Sequence, residues 1–353
     1  MTSDSRSLLD IVLTCHNWPH PLVSDHSLTR KTYTPFHLHL TPKRTAQIGF
    51  LPDDVLGAIR KDTSDTFVES DDCRIGLNPM LDDFSKRSSA LNAVARTWKD
   101  AGLFASALDG WRNEQYAVFS HDDEDYRSCK NTSDKYNSPA FELERAACAL
   151  FGLATFGVHL TAYTATSSSS NKQDASSSSS SSSSSMATGV AQQLHLWTPR
   201  RAQTKATWPG FLDNSVAGGI TSGDRPLESM IRECWEEAGL SDEVVRPRVR
   251  QVGVLTYVFR TKEGYLQPEV EYVYDLPLPN DVRPKPIDGE AEDFQLMSIE
   301  EVKERMYKGE FKPNCAMVAI DFLIRHGVIT AENEARYMEV MAMMHNDLGL
   351  PGP

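Results

Sequence analysis

The spacing of apolar residues changes character several times along the chain, and each change predicts an element. From Phe84 to Phe104, residues Ala90, Leu91, Val94, Ala95, Trp98 and Leu103 follow helical spacing, with Asp83 or Ser85 placed to cap the start and Gly102 to stop the end. Thr45 to Leu51 reads as a short strand and Pro52 to Lys61 as a short helix, which makes the N-terminal part a small α/β unit without catalytic spacing. Further on, Gly157 to Tyr163 and Gln193 to Thr198 alternate as strands do. Gln251 to Arg260 is apolar on both faces, which predicts a central strand. Leu266 to Leu276 alternates, with Glu269, Glu271 and Asp275 on a polar face that should meet solvent. Met297 to Val302 opens a short helix, Asn314 to His326 forms another stopped by Gly327, and Tyr337, Met341, Met344 and Leu348 fall on one helical stripe suited to a core.

Two polar stretches interrupt these patterns. Ser167 to Ser185 is almost entirely serine and can bury no apolar area, so ordering it would cost entropy without return. Alternating segments flank it, which predicts a β-hairpin with a disordered insertion over 165–189; each doubling of loop length costs only about 0.6 kcal/mol. The stretch from His121 to Ser138 lacks periodicity and is placed as the domain boundary. The expected organisation is an N-terminal α/β domain, 1–138, and a second α/β domain, 139–353, of α+β character with a mixed sheet. The length of 353 residues is consistent with about two domains.

Composition narrows the function. Hydrophobic residues at 40% suffice for two cores, and a formal net charge of −13 argues against nucleic-acid binding, which needs a basic footprint. Phosphate chemistry in so acidic a chain requires local cations or a bound metal. No apolar run reaches about 18 residues, and the N-terminus resembles neither a secretory signal nor a transit peptide. The six cysteines are widely spaced, as expected of reduced thiols in a cytoplasmic protein without a membrane anchor.

The chemistry concentrates in Gly218 to Leu240, GGITSGDRPLESMIRECWEEAGL. Pro226 suits the first helical position and Gly239 the residue past the end. Leu227, Met230, Ile231, Cys234 and Ala238 form an apolar stripe, while Glu233, Glu236 and Glu237 converge on a neighbouring face. A glycine-rich loop precedes the helix and lets backbone carbonyls approach closely. Carbonyl and carboxylate oxygens together suit Mg²⁺ or Mn²⁺.

This segment resembles the Nudix box, G-x5-E-x7-R-E-U-x-E-E-x-G-U with U aliphatic. Gly218 opens it and Arg232-Glu233-Cys234-Trp235-Glu236-Glu237-Ala238-Gly239-Leu240 closes it. Asp224 stands at the first glutamate, one methylene shorter, and Cys234 at an aliphatic position. FELERAACALFGLATFGVHLTAY, LWTPRRAQTKATWPGFLDNSVAGG, LQPEVEYVYDLPLP and GEFKPNCAMVAIDFLIRHGVIT resemble one Nudix subfamily, labelled thiamine-pyrophosphokinase-related, and GWRNEQYAVF resembles its N-terminal domain of unknown function.

The resemblance implies an α/β/α sandwich and hydrolysis of diphosphates of oxidised or damaged thiamine, a small-molecule substrate. It implies Mg²⁺ (or Mn²⁺) held by Glu233, Glu236 and Glu237, with Ala217 or Gly218 adding a carbonyl and Asp224 an outer carboxylate. The general base is Glu233 or comes from the later loop carrying Glu290 and Glu292. Arg200, Arg201 and Lys205 could reach phosphate, and Trp197 and Trp208 could stack a heteroaromatic ring. Alternatives are a nucleoside diphosphate such as 8-oxo-dGDP as substrate, or a silent diphosphate-binding protein. The stretch Arg200 to Gly210 also resembles isopentenyl diphosphate isomerases, but those need a cysteine on a following strand, and none occurs before the box.

Overall fold

The computed structural model describes residues 6–18, 33–41, 44–70, 74–120, 139–165 and 194–353. The serine tract, the polar stretch 121–138, His20, Cys73 and Cys129 lie outside the described residues. Among those described, Cys15, Cys148, Cys234 and Cys315 are free and buried.

In chain order the N-terminal part contributes α1 (Leu8–Cys15), β1 (Tyr33–Thr41), β2 (Arg44–Pro52), α2 (Asp53–Ile59), β3 (Phe67–Glu69), β4 (Ile75–Leu77), α3 (Phe84–Asp100), α4 (Ala105–Leu108) and β5 (Gln115–Val118). Then come β6 (Phe141–Glu144), α5 (Arg145–Cys148), β7 (Thr155–Ala165), β8 (Leu194–Arg201), β9 (Val216–Gly219), α6 (Pro226–Ala238), α7 (Asp242–Val245), β10 (Arg250–Arg260), β11 (Leu266–Pro277), β12 (Ala291–Ser298), α8 (Ile299–Tyr307), α9 (Pro313–Arg325) and α10 (Tyr337–Met344).

A four-stranded sheet of order β2-β1-β4-β3 carries α3 on one face. Asp83 caps α3 through the Lys86 N–H, and Leu91, Val94 and Trp98 bury against Phe36, Ile75 and Leu77. Leu103, expected on the buried stripe, is instead exposed, because α3 ends at Asp100 and Gly102 turns the chain at φ 71°. β5 pairs with β6 across the undescribed stretch, Gln115 opposite Glu144.

The second sheet follows β10-β11-β7-β8-β12, with β9 also on β7. β7 runs parallel to β11 and antiparallel to β8 and β9, so the sheet is mixed. One edge of β7 is shared: Gly157 to Leu160 pair with β9, and Tyr163 to Ala165 pair with β8. At the changeover, Ser215 Oγ accepts from the Ala162 N–H at 2.8 Å and donates to the Trp197 carbonyl.

Helices cover both faces. Val158, Leu160 and Ala162 of β7 meet Met230, Ile231, Cys234 and Ala238 of α6, while Leu255, Tyr257 and Val273 meet α1, α8, α9 and α10. The result is an α/β/α sandwich. Two expectations need correction. β10 is an edge strand of the sheet, not a central one; helices and the C-terminal segment bury both its faces, so its apolar pattern reflects the layers and not its rank in the sheet. Leu227 is 37% exposed, because the stripe that faces the sheet begins one turn later at Met230.

Candidate active site

Proline and glycine fix the limits of α6. Pro226 occupies its first turn, and Gly239 adopts φ 63°, the left-handed conformation that ends a helix through bonds back to the Cys234 and Trp235 carbonyls. With the apolar stripe against the sheet, Glu233 and Glu237 turn toward β9. The Ala217 N–H donates to Glu237 Oε2 at 3.0 Å. A Cβ on Gly218 would sit 2.6 Å from Glu233 Oε1, so only glycine lets the strand lie this close to the carboxylate.

Burial dominates the electrostatics of both groups. Glu233 is pushed up to about 7 by desolvation, with Glu236, Glu114 and Glu290 adding repulsion that Arg232 opposes. Glu237 lies well above the usual carboxylate range for the same leading reason, against the Ala217 hydrogen bond. Carboxylate oxygens of Glu237, Asp288 and Glu290 lie within 4.8 Å of one another. Such crowding of carboxylates, from exposed Asp288 and partly buried Glu237 and Glu290, suits a cation with hard oxygen ligands.

The remaining expected site residues separate into those at this cluster and those away from it. Glu236 is half exposed and 3.7 Å from Arg232; Asp224 bonds Arg232 at 3.3 Å. Lys205 reaches the cluster through Glu290 at 2.6 Å. Glu292 is exposed on β12. Arg200 donates to the Gly210 carbonyl at 2.7 Å. Arg201 is partly buried, donating to the Trp208 and Thr207 carbonyls and to Asp213 at 2.5 Å. Trp197 is buried in the core beneath α6, while Trp208, at φ 52°, lines the neighbouring cleft.

That cleft encloses about 470 Å³, within the range of small-molecule sites. Ala217, Gly218 and Gly219 form one wall, and Tyr257, Glu269, Glu271, His159, Lys312 and Asn314 belong to its lining. The expectation that Glu269 and Glu271 meet solvent is therefore overturned: α1 and α9 cover that face of β11, and Glu271 is only 5% exposed. His159 bridges Asn214 Oδ1 at 2.7 Å and Glu271 Oε1 at 3.5 Å. Burial would raise Glu271, but the charge and hydrogen bond of His159, together with Glu269 and Lys312, hold it below the usual carboxylate range, while Glu271 and Cys315 lift the imidazole well above its usual range against burial. The Tyr257 hydroxyl sits between Glu269 and Glu271 and has one proton for two carboxylates. Burial, then the charge of Glu271, pushes Glu269 up to about 7. Nothing local in the sequence signals this network, since its members come from three strands and the loop before β9; the shared parity of Glu269 and Glu271 was the one available sign.

The raised Glu269 has a measurable consequence. A carboxyl whose folded pKa exceeds its unfolded value contributes stability that is complete below about 4.5 and is lost as pH rises through about 7. Glu269→Gln, which stays neutral, should show less of the metal-free fall in thermal midpoint between pH 5 and 8. Parallel curves for variant and wild type would place the proton elsewhere.

A NUDIX domain model matches residues 187–315, and a model described as a domain of unknown function (DUF4743) matches 10–155. The uncharacterized protein YJR142W of Saccharomyces cerevisiae is 34% identical over 319 residues, 86% of this chain and 82% of that protein. Nudix hydrolase 24, chloroplastic, and Nudix hydrolase 20, chloroplastic, both of Arabidopsis thaliana, are each 32% identical over 274 residues, 77% of this chain. The aligned region spans 63% and 61% of those two plant proteins. No helix among the described residues is long and apolar enough to cross a membrane.

Proposed function

We propose, for a chain that belongs to the Nudix hydrolase family and so acts on phosphorus-containing anhydrides, that its substrates are diphosphates of oxidised or otherwise damaged thiamine, cleaved to monophosphate and phosphate. Residues 139–353 supply the hydrolase chemistry on this reading, and 1–138 the preceding unit. The resemblance of the sequence to the thiamine-pyrophosphokinase-related subfamily motivates the substrate. The observation that carries it furthest is the floor of the cleft, where Tyr257, Glu269 and Glu271 share too few protons.

Glu237, Asp288, Glu290 and Glu233 fit a divalent cation, by their oxygen donors and their crowding, with Ala217 or Gly218 able to add a carbonyl. Mg²⁺ or Mn²⁺ bound there would offset diphosphate charge and acidify a water. Glu233, near neutrality in its pKa, is placed to take the proton as general base. Glu290 serves the cation instead, and Glu292 lies too exposed for either task. Glu236 and Asp224 steer Arg232 alongside. Arg201 shapes the loop that presents Trp208 to the ring, and Trp197 acts only as core. Because Glu233 and Glu237 must lose protons to hold a cation, metal affinity should rise about tenfold or more between pH 6 and 8, read by calorimetry. Affinity independent of pH would remove these two as ligands.

At the floor, a carboxyl that keeps its proton can donate to an oxygen acceptor, as the pyrimidine oxygen of oxythiamine requires. His159 balances the charge of Glu271, so the floor offers little net attraction to the thiazolium, which oxythiamine shares with thiamine, and the hydrogen bond to the pyrimidine substituent decides between them. A site built for a hydrogen bond discriminates strongly against a ligand that leaves the donor unpaired. The expected kcat/KM for oxythiamine diphosphate exceeds that for thiamine diphosphate by about tenfold or more. The same Mg²⁺ assay includes 8-oxo-dGDP and ADP-ribose, and a nucleotide cleaved faster than every thiamine analogue overturns the substrate reading. No turnover of any diphosphate would favour a silent binding protein.

A further inference from the structure

We propose that the β5–β6 ribbon and α5, which lie in the region 10–155 matched by the DUF4743 model, complete the catalytic cleft, and that Arg145 at the start of α5 binds the anionic diphosphate of the substrate. This rests on the hydrolase reading above but not on the identity of the group that carries the diphosphate.

The β5–β6 ribbon is joined to the loop that precedes α6. The Ser222 N–H donates to the Gln115 carbonyl at 2.8 Å, and Tyr116 forms a bridge to Thr221. The Tyr116 hydroxyl occupies the space a Cβ on Gly219 would need, so phenol and glycine lie in contact at the cleft wall. Tyr116, Arg145 and Cys148 line the same cleft as Gly218, Gly219 and Glu269. The Arg145 backbone N–H is fixed to the Glu114 carbonyl at 2.8 Å, and its guanidinium lies 5.3 Å from the Tyr116 ring.

The cation remains available. One guanidinium nitrogen bonds Glu114 at 3.0 Å, and among the described residues the other N–H groups have no hydrogen-bond acceptor, with the side chain 39% exposed. The guanidinium offers up to five N–H donors, in a fork that suits phosphate oxygens. Three of its rivals are committed: Arg200 and Arg201 are bonded to loop carbonyls and Asp213, and Lys205 to Glu290. Lys312, beside Pro313 and Asn314, is the other cation in the cleft lining. A diphosphate entering a cleft lined by Glu269 and Glu271 needs a cation in that lining, and Arg145 supplies one. Its placement also gives the region matched by the DUF4743 model a direct part in substrate recognition.

The test uses the full chain and inorganic pyrophosphate, with Ca²⁺ in place of Mg²⁺, followed by calorimetry. Arg145→Ala should weaken pyrophosphate binding roughly ten- to hundredfold, the loss expected for charge-assisted hydrogen bonds. Arg145→Lys should recover part of it. Arg145→Gln, which removes the charge but keeps a polar amide and part of the aliphatic stem, serves if the alanine variant fails to fold. Glu114→Gln removes the ion-pair partner and leaves the cation, so affinity should hold or rise. The proposal is overturned if the wild type binds no pyrophosphate, if the Arg145 variants bind as the wild type does, or if Glu114→Gln loses as much as Arg145→Ala, which would make the pair a brace. If binding depends on Arg145 while no thiamine analogue is cleaved, the anchor stands and the substrate reading falls.

Discussion

Glu237→Gln should lower kcat by about a hundredfold or more while leaving the protein folded, because it removes a charge that the cation requires. The amide keeps the length of the side chain and an oxygen to accept from the Ala217 N–H. The carboxyl it replaces is held well above the usual range by burial and by Glu233 and Glu290. A raised pKa means stability that is present at low pH and lost as pH rises, so at pH 8 without metal the neutral variant should melt at or above the wild-type temperature. Adding Mg²⁺ should then raise the wild-type midpoint more than that of the variant, since binding to the native state alone is what stabilises. Near-normal turnover, or an equal metal shift in both proteins, would remove Glu237 from the site.

A second large effect is expected in stability, at Asp213. Its carboxylate pairs with the partly buried Arg201 and accepts from Cys315 Sγ and the Asn214 N–H. Burial alone would raise its pKa, but Lys312 and Arg201 outweigh that and hold it at about 2. Asp213→Ala leaves Arg201 without its partner, at a cost of about 3–5 kcal/mol. At roughly 2–4 °C per kcal/mol the thermal midpoint should fall by roughly 6–20 °C. Combining Asp213→Ala with Arg201→Met removes both charges and should cost less than Asp213→Ala alone. If both variants kept their stability and instead lost affinity for pyrophosphate, Arg201 would be a phosphate ligand after all.

What the sequence disclosed and what it hid divide along a physical line. The limits of α6 were legible because Pro226 and Gly239 act through their own backbone preferences, which need no distant partner. The helix at Phe84 and the cap at Asp83 were legible for the same reason. Glu269 and Glu271 were placed on the correct face of their strand, but what covers that face comes from α1 and α9, distant in sequence on either side. The rank of β10 in its sheet depends likewise on which strands pair, and an apolar pattern records only burial. Arg200 and Arg201 looked available because their acceptors are largely main-chain carbonyls of the Thr207 to Gly210 turn, groups every residue carries. Tyr116 and Arg145 were invisible as cleft residues because a single tyrosine and a single arginine carry no spacing.

The position of α1 has a further consequence, one of timing during synthesis. Leu8, Leu9, Ile11, Val12 and Cys15 are all buried in a core whose other walls include α9 and α10. At roughly 5–20 residues per second, the ~300 residues between α1 and α9 take on the order of 15–60 s to translate. Until β10, α8 and α9 have followed, an apolar helix waits outside the ribosome with most walls of its core unmade. The nascent polypeptide, more than the finished protein, is the form that depends on being shielded from aggregation.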